Sequence, residues 1–148
     1  MKKNLIVISV ILLIIIVICI SGLKINSNIS KTVKQQNSEY EQYLKETIYG
    51  TDVVTLINKA TSNNESNNVE KDEKDYYINN NQNSITIDLV MITDEEKQET
   101  TTYKMETISK VGITEFIKNF NIAEFKCTNV EYHKQTGKIS YIELTQQY

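Results

Sequence analysis

From Leu5 to Ile20 every residue is apolar except Ser9, and Ser21, Gly22 and Leu23 carry the run on to Lys24. As α-helix, the nineteen residues Leu5–Leu23 would span about 28 Å, close to the hydrocarbon thickness of a bilayer. A soluble helix apolar on all sides needs burial all round, which a chain of 148 residues cannot supply once the run itself is subtracted. The sequence therefore predicts a single membrane anchor at residues 5–23, with a short basic head at residues 1–4. Lys2 and Lys3 place the N-terminus in the cytoplasm and the rest of the chain outside, although Lys24, Lys31 and Lys34 follow the span and reduce the charge difference. A cleaved signal peptide is the competing reading, but its apolar centre would be unusually long and Ser21-Gly22 is a poor small-residue cleavage site. A lipoprotein would need a small residue where Ile18 precedes Cys19. A pilin-like start would need an early Gly and Glu that the run lacks.

Beyond the anchor, Ile25, Ile29, Val33, Tyr40, Tyr43, Leu44 and Ile48 recur at spacings of three, four or seven, which is one stripe of an α-helix. With no Pro in the chain, this helix is expected to continue from the anchor. Its stripe either packs on the protein's own sheet or meets a protein partner or a second copy. Gly50 offers a cap, and Val53, Val54, Leu56, Ile57 and Ala60 form the face of a second, short helix. Residues 24–60 thus read as membrane-proximal helices. Residues 61–83 read as a polar, Asn-rich linker or loop, with disorder expected where Ser, Asn, Glu, Lys and Asp crowd together from Thr61 to Asp75.

Residues 84–148 read as a small α+β domain. Ile85, Ile87, Leu89 and Met91 alternate with polar neighbours as a half-buried strand does. A partner strand is expected through Thr101, Tyr103, Met105 and Thr107, after an acidic hairpin loop at residues 93–99. Ile113, Phe116, Ile117 and Phe120 trace a helix, and two strands follow, Glu124 to Tyr132 and Lys138 to Thr145, joined by a turn at Gly137. In the first of these, Phe125 and Cys127 share one parity while Val130 and Tyr132 share the other, so a bulge near Thr128-Asn129 is required. The expected fold class is α+β: the transmembrane helix, an amphipathic helix continuing it, then an antiparallel sheet of about four strands with helices on one face.

The chemistry-bearing residues are few. The net charge is −3 and all 16 basic residues are lysine, which removes the planar guanidinium fork favoured for phosphate and guanine, so no nucleic-acid partner is implied. Cys19 lies in the apolar run and Cys127 near the C-terminus, too far apart in kind of environment for a bridge that needs α-carbons within about 7 Å. Cys127 is read as a small buried hydrophobe. His133, the lone histidine, sits beside a turn and is expected to face water. Asp94-Glu95-Glu96 and the cluster Glu70, Asp72, Glu73 lack the ligand spacing and Gly turn of a calcium loop. No catalytic, cofactor-binding or metal-ligating residue is assigned, and no cofactor is implied. Tyr40, Tyr43, Tyr49, Tyr76 and Tyr77 suit either a protein interface or the edge of the core.

The stretch Tyr49-Gly50-Thr51-Asp52-Val53-Val54-Thr55-Leu56-Ile57-Asn58-Lys59-Ala60, following the anchor, resembles a group of short, uncharacterised single-pass membrane proteins of clostridia-like Firmicutes. In these a Tyr-Gly-x-x-Val-x-x-Leu-Ile segment and an Asn-rich loop come after an apolar N-terminal helix. Phe125-Lys126-Cys127, Glu131-Tyr132-His133 and Thr136-Gly137-Lys138-Ile139 add to the likeness. The resemblance implies a bacterial envelope setting and no known activity. The expected role is a non-enzymatic interaction or structural one, in the narrower form a subunit of a pilus- or secretion-like assembly. The alternative is an anchored small-ligand sensor or small hydrolase.

Overall fold

The computed structural model describes residues 14–17, 30–94, 96 and 98–148. The expected anchor lies outside the described residues apart from 14–17, which are helical and exposed. Among the described residues no helix is long and apolar enough to cross a membrane. The chain divides into two units, residues 1–35 and 36–148. In the first, residues 30–35 are helical.

The second unit is an α+β domain. Residues 36–45 form α1, and the order continues β1 (Ile48–Tyr49), α2 (Gly50–Ser66), β2 (Thr86–Asp94), β3 (Glu99–Lys104), α3 (Met105–Val111), α4 (Ile113–Phe120), β4 (Glu124–Tyr132) and β5 (Ile139–Gln146). The strands make one five-stranded sheet in the order β1-β4-β5-β2-β3. It is mixed, not antiparallel throughout: β2 and β5 run parallel, with Ile87 opposite Ile142 and Leu89 opposite Leu144. The α3–α4 crossover carries the chain past β3 so that the β4–β5 hairpin docks on the other side of β2. Alternation reports which face of a strand is buried, not the direction of its neighbour, so the parallel pair leaves no mark in the sequence.

Three further expectations are corrected. Ile48 belongs to β1, paired with Phe125, and not to the helical stripe; a spacing of four after Leu44 keeps a residue on one face of a helix or of a strand alike. The strand expected through Thr107 stops at Lys104, because Met105 and Ile108, three apart, bury one side of α3. Helix α2 runs to Ser66, six residues past Ala60 and into the segment expected to be disordered. The bulge in β4 is present where the parity switch requires it, the register passing from Cys127 opposite Leu144 to Asn129 opposite Glu143.

The helices cover one face of the sheet. Val53, Leu56, Ile57 and Ala60 of α2 are fully buried with Ile87 and Leu89 of β2, Ile142 and Leu144 of β5 and Phe125 of β4. Tyr40 and Tyr43 of α1 complete this core, so the C-terminal part of the stripe serves the domain itself. Tyr40 lies 2% exposed, and burial, with Glu39 and Tyr43 nearby, pushes its phenol well above the usual range. At roughly 1.5–3 kcal/mol for each large apolar side chain buried, the α2–sheet contact contributes several kcal/mol to stability.

Two close contacts fix how α2 sits. A Cβ added at Gly50 would stand 1.9 Å from the carbonyl oxygen of Phe120, and the Gly50 N–H donates to Ala123 O at 3.1 Å. The start of α2 therefore presses on the backbone at the end of α4. Tyr49 N–H donates to Asp52 Oδ2 at 3.1 Å, which satisfies an amide at the helix entrance. At the other end the Asn64 side chain, fully buried, donates through Nδ2 to Ile85 O at 2.7 Å and accepts at Oδ1 from Ile85 N at 2.8 Å. One carboxamide thus supplies both hydrogen bonds that a neighbouring strand would make at the entrance to β2.

Gly50→Ala is expected to lower stability by about 1–3 kcal/mol, since the clash is with backbone that cannot rotate away. Asn64→Ala leaves a buried N–H and a buried C=O unpaired, so a loss of about 2–4 kcal/mol is expected. Chemical denaturation of the wild type and each variant measures both.

Candidate functional site

The structure turns the residues with reactive side chains inward. His133 is buried, 4% exposed, and not the solvent-facing turn residue expected from its position. Its Nε2 lies 2.7 Å from Ser84 O, and its backbone N–H donates to Lys138 O at 2.8 Å across the turn before β5. Its position beside a turn does not reveal this burial, because the contact comes from a residue 49 positions away. Cys127 is half-buried against the core, its thiol within 3.4 Å of Asn129 O, and burial raises its pKa. At neutral pH it is a thiol rather than a thiolate, as a packing residue should be.

The asparagines, read from sequence as solvation, order the loop after α2. Asn80 Oδ1 accepts from the backbone N–H groups of Gln82, Asn83 and Ser84 at 2.9–3.1 Å. Asn63 donates to Asn83 O at 2.7 Å, Asn83 donates to Asn67 Oδ1 at 2.8 Å, and Thr136 donates to Gln82 O at 2.8 Å. Asn37 of α1 makes a second strand-like pair, donating to Gly137 O at 2.9 Å and accepting from Ile139 N at 3.0 Å. His133 and Ser84 close this network from below.

The segment between these elements is clipped to α3. Asp72 Oδ1 accepts from the backbone N–H groups of Lys74 and Tyr76, both at 2.9 Å, and forms the turn. Glu106, buried, accepts at 2.9 Å from Tyr77 N–H. Asp75 bridges Lys71 at 3.4 Å and Lys110 at 3.3 Å, and the two ammonium groups lie over the rings of Tyr77 and Tyr76. The acidic residues here are thus turn formers and lysine partners. Among the described residues no three His, Cys, Asp or Glu side chains are placed to hold a metal.

Of the five tyrosines singled out in the sequence, Tyr40, Tyr43 and Tyr77 are buried, Tyr76 is half-buried and Tyr49 is 50% exposed. Tyr49 stands on β1, which covers β4 only at Glu124 and Phe125. From Lys126 to Tyr132 the outer edge of β4 has no strand beside it among the described residues, and Tyr132 at its end is 51% exposed.

An apolar cleft lies elsewhere, in the corner between α3 and α4. Gly112, with φ of 110°, turns the chain there. The cleft holds about 230 Å³ and is lined by Met91, Ile92 and Tyr103 from the sheet, Ile108 from α3, and Phe116 and Phe120 from α4, with Thr93, Thr107, Glu115 and Asn119 at its rim. The Phe116 and Phe120 rings are tilted against each other with centroids 5.2 Å apart. These side chains read as core in the sequence, because apolar spacing does not distinguish a filled corner from an open one.

The Lys71–Asp75–Lys110 cluster carries a pH dependence. Hydrogen bonds from Lys110 and Lys71 hold the Asp75 carboxyl below its ordinary 3.8. A carboxylate stabilised in this way contributes above its unfolded pKa and loses the contribution as pH falls through the lower, folded one. The difference in melting temperature between wild type and Asp75→Asn should be present at pH 7 and close progressively below pH 3.8. Thermal melts over that range check it.

No protein-family model, no curated protein and no solved structure matches this chain.

Proposed function

We propose that the chain is a membrane-anchored protein of a bacterial cell envelope, held by Leu5–Leu23, with its C-terminal domain outside the cytoplasm and a non-enzymatic interaction or structural role. The observation that carries this reading is the apolar run Leu5–Leu23, free of charged residues, joined to a domain whose reactive groups do packing work. His133 is committed to Ser84 O and the Cys127 thiol is raised by burial. The partner, or a second copy, meets the edge of β4 between Tyr49 and Tyr132 that no described strand covers, or the stripe at Ile25, Ile29 and Val33. Exposed tyrosines beside unpaired strand groups are suited to such a contact. A subunit of a pilus- or secretion-like assembly is the narrower form of this proposal.

A second reading, an anchored small-ligand sensor, is favoured by the apolar cleft at the α3–α4 corner.

Gln135, exposed at the turn before β5, reports sidedness. In a chain lacking Cys19 and Cys127, Gln135→Cys is expected to react with an impermeant maleimide in intact cells and to stay with membranes through alkaline extraction. Labelling only after permeabilisation would reverse the topology, and extraction would remove the anchor. A photo-crosslinking residue at Tyr132 should give a higher-mass adduct; a chain that stays monomeric in its native membrane defeats the interaction reading at this edge.

A further inference from the structure

The lining of the α3–α4 cleft also specifies what kind of ligand it would take, an inference that rests on the sensor reading. At about 30 Å³ per water, 230 Å³ is room for roughly eight waters. That suits the body of a small molecule. The walls offer Met91, Ile108, Phe116, Phe120 and the ring of Tyr103, so the buried part of such a ligand is apolar or aromatic.

The rim decides the head group. Glu115 is the only charged residue lining the cleft among the described residues, and no lysine lines it. Asn119 Nδ2 donates to Glu115 Oε1 at 3.2 Å, which orients the carboxylate and leaves Oε2 available. Lys118 approaches Glu115 at 3.8 Å, but the two side chains are 72% and 55% exposed, so this pair is weak and easily displaced. Aromatic faces beside a carboxylate favour a cation twice over, through charge and through the ring quadrupole. We propose that this cleft binds a small amphiphilic amine, its apolar body between Phe116, Phe120 and Met91 and its ammonium against Glu115.

Of the two methionines among the described residues, Met91 lines the cleft and Met105 is fully buried elsewhere. Carbon-13 labelling of the methionine methyl groups therefore gives a reporter and an internal reference. The full chain, in nanodiscs of zwitterionic lipid, is titrated with 2-phenylethylammonium, 2-phenylethanol and 3-phenylpropionate. The expected result is a saturable shift of Met91 with Met105 unmoved, the amine binding about fivefold tighter than the carboxylate, and the alcohol between them. Glu115→Gln should bring the three dissociation constants together while leaving the alcohol's unchanged. If the carboxylate or the alcohol binds as tightly as the amine, or if Glu115→Gln preserves the preference, the head-group inference is overturned and the sensor reading stands. If no probe moves Met91, the sensor reading falls with it.

Discussion

The two hydrogen bonds between the Asn64 carboxamide and the backbone of Ile85 hold the domain's parts in register. They join the last turns of α2 to the first residue before β2, so they fix where the central strand begins relative to the helix that covers it. Ser84, next in the chain, is then placed to meet His133 across the β4–β5 turn. Asn63 and Asn67, on the same end of α2, reach Asn83 and close the loop. An apolar residue at 64 would fill the same volume and leave two buried backbone groups without partners, which is why a polar side chain belongs in this core. Gly50 plays the matching part at the other end of α2, where any side chain would collide with the end of α4.

The face of the sheet that carries Asp88, Tyr141 and Glu143 is governed by charge. The parallel pairing of β2 with β5 sets Asp88 directly opposite Glu143, an arrangement that costs a few tenths to about 1 kcal/mol when nothing intervenes. Here the Tyr141 hydroxyl lies 3.3 Å from Asp88 Oδ2 and 3.4 Å from Glu143 Oε2, and shares its proton between them. Lys104 pairs with Asp88 at 3.2 Å, and Thr128 donates to Glu143 Oε1 at 2.7 Å. Burial and the two acids raise the Tyr141 phenol far above its usual range, so it remains a donor at any physiological pH. This face is built as a satisfied polar surface. Along the edge of β4, by contrast, the strand groups from Lys126 to Tyr132 have no strand beside them among the described residues, and the α3–α4 corner presents an apolar cleft.

The polar loop and the lone histidine show where reading from sequence fails, and for one reason. Asn-rich composition signals solvation when each amide faces water, yet Asn63, Asn64, Asn67, Asn80 and Asn83 each bond to backbone or to one another. Several of these partners are 16–21 residues distant, as Ser84 is 49 from His133. No window along the chain contains both halves of such a pair. The bulge in β4, by contrast, was legible, because a switch of parity between Phe125 and Val130 can be met only by an extra residue. The helix α4 was legible for the same local reason.

By itself the sequence determined the α+β class, the apolar faces of α2, α4 and β2, the bulge at Thr128–Asn129, and an apolar run of a length that matches a bilayer. These follow from periodicity and length, which are properties of neighbouring residues. Only the tertiary structure decided that β5 lies parallel to β2, that Tyr40, Tyr43 and His133 are buried, that the asparagines brace a loop, and that the aromatic corner of α3 and α4 stays open. Each of these depends on which distant segment arrives beside a residue. The pattern says that a side chain seeks burial or a partner; the fold alone says which one it finds.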